Sequence, residues 1–308
     1  MRRYWLAALT ALFMSGIAIS AHAEVKAPAA YVGLGDSLAA GQTPASEIDT
    51  GYVDLIAQEL MRNQPLAFYT KDLAFPGFTT EDVLERVKSE EAQELLTAAN
   101  IITVSAGAND LLRLVQTDPM QGSLAFNQIQ VNFALDQARS NMEAILQELK
   151  ERAPCADIYV MGYYFAYPHM RVSQKAGIAE QLDLLNEILE RTADKAGVHF
   201  VPVDSFFGYD AVDKLPNPAD VHPNIEGYRA MANAFFTIYQ DAWEVAREEL
   251  PEPNPLTFEE IMQAREQNED TPAQDGRSEE KERDNHAFRP SDQVKTDYLA
   301  LREAIPYI

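Results

Sequence analysis

The chain has 308 residues, with 25 lysines and arginines against 48 acids, for a formal net charge of −23. So negative a surface repels nucleic acid and anionic bilayers, which excludes polyanion binding as its function. The 46% hydrophobic content is enough for one large core, and the lone cysteine, Cys155, cannot close an internal disulfide.

Residues 1–23 read as an export signal. Arg2 and Arg3 supply the positive start, Trp5 to Ile19 is apolar, and Ala21-His22-Ala23 is a small-residue cleavage site before Glu24. The rival reading, an uncleaved anchor, needs ~20 apolar residues, and this run is shorter. The expected location is therefore extracytoplasmic, with no transmembrane span in the mature chain.

From there, strand and helix patterns alternate. "AAYVGLGDS" is a strand and turn, and "GYVDLIAQELMRN" has helical spacing. "LAFYTKDLA" is a strand. "TTEDVLERVKSEEAQELL" predicts one amphipathic helix capped by Thr80. "NIITVSAG" is a short apolar strand, followed by a long helix from Phe126 to Ala153 that ends at Pro154. "DIYVMGYY" is the fourth strand, with Cys155 beside it as a buried, inert thiol. A helix from Ala176 to Gly197, the strand "VHFVPVD" and a last long helix from Asn224 to Leu250 complete the series.

Five apolar strands separated by helices predict a flavodoxin-like α/β/α fold: a five-stranded parallel sheet covered on both faces. The expected folded domain is 24–250. Beyond it, 251–308 is polar, acidic and broken by prolines, which predicts a largely disordered tail with one short helix near Thr257–Gln267. Its apolar end, "VKTDYLALREAIPYI", is suited to docking on the domain or on a protein partner.

In such sheets the strand C-termini share one edge, and ligands bind there. Four loops fall on that edge. The first carries Ser37, which either caps the next helix or acts as a nucleophile. The second carries Gly77, whose backbone N–H a ligand can approach closely. The third carries Asn109, a side-chain donor, and Asp110, expected to cap the following helix. The last carries His222, with Asp220 two residues before it. A hydroxyl, two donors and a base are the parts that acyl transfer requires.

These residues resemble the SGNH or GDSL hydrolases. "GLGDSLAAG" is similar to that family's first block, Gly77 to its second-block glycine, "GAND" to its third block, and "DVHPN" to its fifth. The likeness runs in order from Tyr31 to about Phe236. "GYVDLIAQEL", "VMGYY" and "LPNPADVHPNIEGY" resemble the secreted bacterial lipases and esterases that include the spore-germination lipases. The resemblance implies Ser37 as nucleophile and His222 as base. It implies an oxyanion hole from the backbone N–H groups of Ser37 and Gly77 with the Asn109 amide. It implies no cofactor and no metal, and a small-molecule or lipid ester as substrate.

One departure stands out. The family's acid lies three residues before the histidine, and that position here is Ala219. In an extended segment, residues i and i+2 share a side, so Asp220 reaches the ring in one arrangement. In the other, a backbone carbonyl orients the imidazole and the site is a dyad.

The remaining histidines have plainer readings: His169 on the surface or a rim rather than lining the cleft, His199 structural within a strand, His286 in the tail. Tyr163, Tyr164, Phe165 and Tyr167 follow the fourth strand, either lining an acyl pocket or packing the core. Asp36 is read as serving the turn. The leading function is a secreted serine esterase or lipase. The alternatives are a polysaccharide O-deacetylase, a non-catalytic surface binding protein, and a nucleotide binder that would leave His222 and Asn109 without a purpose.

Overall fold

The structure is a computed structural model and describes residues 27–251, apart from 119 and 121. The export segment, the acidic tail and His286 lie outside the described residues.

Five strands form one parallel sheet: β1 (Ala29–Gly35), β2 (Leu66–Ala74), β3 (Ile101–Ser105), β6 (Asp157–Met161) and β7 (His199–Val201), in the order β2-β1-β3-β6-β7. Every residue of β1 and β3 is buried, as near-continuous apolar runs require when helices cover both faces. The polar exceptions are paired: the Tyr31 hydroxyl and Thr103 Oγ1 lie 2.8 Å apart. Helix α2 (Tyr52–Asn63) packs on α8 (Ile225–Tyr239), while α6 (Gln128–Arg152) packs on α3 (Thr80–Lys88) and α7 (Val172–Ala196). The chain steps from β1 outward to β2 and then back across to β3. The crevice between β1 and β3 is therefore the point where strand order reverses, which is where such sheets bind ligands.

The structure departs from the sequence reading where side chains compete for the backbone. The helix expected from Thr80 is two helices, α3 and α4 (Glu90–Ala98), because Ser89 leaves the helix at ψ 159 and accepts from Ala92 N. Thr79, not Thr80, caps α3, with its hydroxyl taking Asp82 N–H. The last helix stops at Tyr239, and the chain folds back until Asn233 Oδ1 accepts from Val245 N at 2.8 Å. Cys155 is exposed, since Pro154–Ala156 form the turn outside β6.

Two short elements were unexpected: β4 (Gln116–Asp118) and β5 (Ser123–Ala125), an antiparallel ribbon between β3 and α6. Helix α5 (Ala108–Leu112) leads into it. Among the described residues, no helix is long and apolar enough to cross a membrane.

Candidate active site

Ser37 is placed by its neighbours. Gly35 has φ +133, and a Cβ there would sit 2.0 Å from the Ser105 carbonyl oxygen. Glycine thus lets β1 close on β3, and Asp36 N–H donates to Ser105 O at 3.0 Å. Asp36, not Ser37, caps the four-residue helix α1 (Ser37–Ala40), accepting from Leu38 N at 3.0 Å. The Ser37 hydroxyl is thereby released from capping, and Ser37, at the first helical position, has a backbone N–H with no intrahelical acceptor.

The Asp36 carboxylate also accepts from Ser105 Oγ at 2.9 Å and from the Tyr163 hydroxyl at 2.6 Å. Burial pushes its pKa above the usual carboxylate range. The bonds from Tyr163, Ser105 and Leu38 N, with His222 nearby, pull the other way.

His222 lies in the loop before α8, and that loop is fastened at several points. Tyr164 Oη donates to Val221 O at 2.8 Å, and its ring stacks on Phe207 at 4.2 Å. Asn217 Nδ2 donates to Pro44 O at 3.1 Å. Asn224 caps α8 and donates to Asp213 O at 2.8 Å. The His169 ring bonds Leu215 O at 2.7 Å, which ties the loop after β6 to the same segment. His199 instead opens β7 and stacks on Tyr159 at 4.7 Å.

The loop delivers His222 Nε2 to 2.7 Å from Ser37 Oγ, across 185 positions of sequence. On the other side of the ring, Nδ1 is 2.7 Å from Asp220 Oδ1. A carboxylate only accepts, so in the neutral ring Nδ1–H donates to Asp220 and Nε2 is left to accept from the Ser37 hydroxyl. Ala219 turns away into a local bond, its N–H donating to Asn217 Oδ1 at 2.9 Å.

Asn109 sits in the first turn of α5, after β3. Its Nδ2 donates one hydrogen to Phe78 O at 2.8 Å, which leaves the second for a ligand. Gly77, at φ +82 in the turn after β2, has its carbonyl held by Arg113 Nη2 at 3.0 Å. Asp110 does not cap α5. Its carboxylate accepts from Thr80 N at 2.9 Å and from Thr80 Oγ1 at 2.6 Å, and Asn141 Nδ2 donates to Thr80 Oγ1 in turn. Burial raises the Asp110 pKa, opposed by the Thr80 bonds. Asp110 thus binds the third loop to α3, a role that its place beside Asn109 did not announce.

Ser37, Asn109 and His222 open onto a cavity of about 110 Å³, walled largely by apolar side chains, with Tyr163, Tyr164, Phe165 and Tyr167 in its lining. Gly77 is outside that lining. Among the described residues, no group of three or more His, Cys, Asp or Glu is arranged to hold a metal ion.

The profile of the GDSL-like lipase/acylhydrolase family matches residues 34–230, which contain every one of these groups. The chain belongs to this family. Among curated relatives of this family member is the uncharacterized Bacillus subtilis (strain 168) protein YpmR, 22% identical over 209 residues, covering 66% of this chain and 78% of that one. Among solved structures, the lipase Lip_vut3 from a goat rumen metagenome superposes with a TM-score of 0.55 at 17% identity, covering 67% of this chain and 95% of that one. The acetylxylan esterase Axe2 from Geobacillus stearothermophilus gives a TM-score of 0.52 at 17% identity, covering 72% of this chain and 98% of that one. Likenesses at such identity carry the fold. The family membership makes the protein an ester hydrolase of GDSL type.

Proposed function

We propose that the protein is a secreted serine esterase or lipase that cleaves carboxylic esters through an acyl-enzyme on Ser37. The observation that carries this reading is the unbroken chain Asp220–His222–Ser37, with 2.7 Å at each link. His222 Nε2 takes the hydroxyl proton as Ser37 Oγ bonds to the ester carbonyl carbon. Asp220 holds the ring and stabilises the imidazolium. The carbonyl oxygen becomes an oxyanion, held by the N–H groups of Ser37 and Gly77 and by the second amide hydrogen of Asn109. The C–O bond to the alcohol then breaks, and the alcohol leaves with the proton from His222. Water gives His222 a proton as it attacks the acyl carbon, the acyl–Oγ bond breaks, His222 returns the proton to Ser37 Oγ, and the free acid leaves. Export rests on the pattern of residues 1–23, and the mature hydrolase domain is read as 24–250.

The test is hydrolysis of p-nitrophenyl butyrate beside Ser37→Ala and His222→Ala. Each variant is expected to lose about 10⁴-fold or more in kcat, since the two residues act as one unit. A fluorophosphonate is expected to label the parent and not Ser37→Ala. Parent protein that hydrolyses no ester and takes no label would move the assignment to the non-catalytic binding reading.

A further inference from the structure

The cavity beside Ser37 has a direction and a chemistry. Its catalytic end is marked by Leu185, whose Cδ1 would lie 3.1 Å from a Cβ on Gly107, the residue before α5. From there the lining follows α7 back through Leu182 to Ile178, with Val115 and Leu124 on the ribbon side and Val131 from α6. The ribbon is latched over this space. Gln174 acts as a further strand partner for Leu124, accepting from its N–H at 3.1 Å and donating to its carbonyl at 3.3 Å. Arg171 N–H donates to Gly122 O at 3.2 Å, and Gln128 Nε2 donates to Gln181 Oε1 at 2.9 Å.

The polar groups in the wall are mostly spoken for. The Tyr163 hydroxyl donates to Asp36 and the Tyr164 hydroxyl to Val221 O, so neither hydroxyl hydrogen is left for a ligand. Beyond the catalytic end, the polar exceptions are the Tyr167 hydroxyl and the Gln181 amide, whose Oε1 already accepts from Gln128 Nε2. A sugar ring entering here would lose its water without finding partners for its hydroxyls, at a cost for each unpaired group. An alkyl chain would only gain by leaving water.

Resting on the esterase reading above, we infer that this cavity takes the acyl half of the substrate, and that the acyl group is an aliphatic chain. From Leu185 to Ile178 is seven residues, about 10 Å along a helix axis. With C–C bonds of ~1.5 Å in a zigzag, that length takes on the order of eight carbons. The acyl cavity is thus built by parts outside the five-stranded sheet: the ribbon, the start of α6 and the first half of α7.

The experiment compares kcat/KM for p-nitrophenyl esters from acetate to dodecanoate. It is expected to rise by up to about fourfold per methylene, the equivalent of ~0.8 kcal/mol, and to level off near eight to ten carbons. Ile178→Trp and, from the ribbon side, Val115→Trp are expected to lower the decanoate-to-butyrate ratio by about tenfold or more, and Ile178→Val to restore it. Labelling of Ser37 by a small fluorophosphonate checks that each variant is folded. A highest kcat/KM for acetate, or a ratio unmoved in both folded tryptophan variants, overturns the inference and leaves the esterase reading standing. A separate readout is displacement of anilinonaphthalene sulfonate from Ser37→Ala by decanoate against butyrate. Decanoate binding that Ile178→Trp weakens would support the cavity's ligand class even if no ester were hydrolysed, in which case the esterase reading alone fails. Equal displacement by both acids overturns the inference.

Discussion

His222 uses one oxygen of Asp220 twice: its backbone N–H and its ring Nδ1 both lie 2.7 Å from Asp220 Oδ1. The short loop is closed on itself by the same carboxylate that orients the imidazole. This explains how an acid two residues before the histidine reaches the ring nitrogen. The backbone bond curls the segment until the side chains meet.

Asp220→Asn is therefore expected to cut kcat by about 10²–10⁴-fold with little change in KM, because the amide no longer fixes the ring with Nε2 free to accept. Stopped-flow measurement of the acylation burst gives the number directly. A burst at the parent rate would mean that Asp220 only shapes the loop and that the site is a dyad.

The Tyr163–Asp36 bond makes a prediction with a pH sign. Burial holds Asp36 above the usual carboxylate range, and the Tyr163 hydroxyl partly opposes that. A carboxyl raised on folding contributes stability that is present below its unfolded pKa of about 3.9 and lost as pH rises through the folded value. Tyr163→Phe removes a lowering bond, so the folded value climbs and the loss deepens. The bond to a charged acceptor contributes about 1.5–3 kcal/mol, or roughly 3–12 °C in Tm for a domain of this size. The deficit should be larger at pH 7 than at pH 4 when both proteins are followed by calorimetry. A deficit that grows towards pH 4 would reverse the assigned sign.

The sheet, its parallel sense and the loops of its active edge could be read from five apolar runs, because a strand covered on both faces has no polar alternation to confuse it. The placing of Ser37, Asn109 and His222 on one edge was legible for a related reason: the first two lie in the loops that leave such strands, and His222 lies in the loop before the last helix. Less legible were features set by side chains that take backbone groups from a neighbour. Nothing in the string "KSEEAQ" says that Ser89 ends one helix and starts another, nor that Asn233 captures Val245. The ribbon over the cavity leaves no mark in the sequence, because strands of three residues at Gln116–Asp118 and Ser123–Ala125 are too short to show a period. Cys155 shows that a place beside a buried strand does not bury a side chain, since the turn before the strand faces solvent.

Alkaline unfolding should be cooperative with tyrosine ionisation. Burial holds the hydroxyls of Tyr31, Tyr163, Tyr164 and Tyr228 well above their ordinary value of about 10. A raised pKa means that their contribution is complete below about pH 10 and is lost above it as the unfolded chain ionises first. Tyrosinate absorbance from these residues should therefore appear together with the loss of helical circular dichroism. Their smooth titration in a still-folded protein would show that the hydroxyls reach solvent.

The segment after α8 sets where the domain can be cut. Val245 is 1% exposed, and its N–H and carbonyl are both bonded by the Asn233 side chain. Trp243 packs on Phe236 and Tyr239, with ring centroids 6.1 and 5.7 Å away. Farther on, Gln58 Nε2 donates to Glu249 O at 3.0 Å, and Arg62 pairs with the Glu249 carboxylate. That ion pair is partly exposed and adds little, so the burial of Val245 dominates, at about 1.5–3 kcal/mol. A chain ended after Gln240 also strands the Asn233 amide, which adds about 1–3 kcal/mol of loss. It should melt roughly 5–24 °C below a chain ended after Pro251, at 2–4 °C per kcal/mol. Equal melting temperatures for the two would mean that residues 241–251 lie on the domain without holding it.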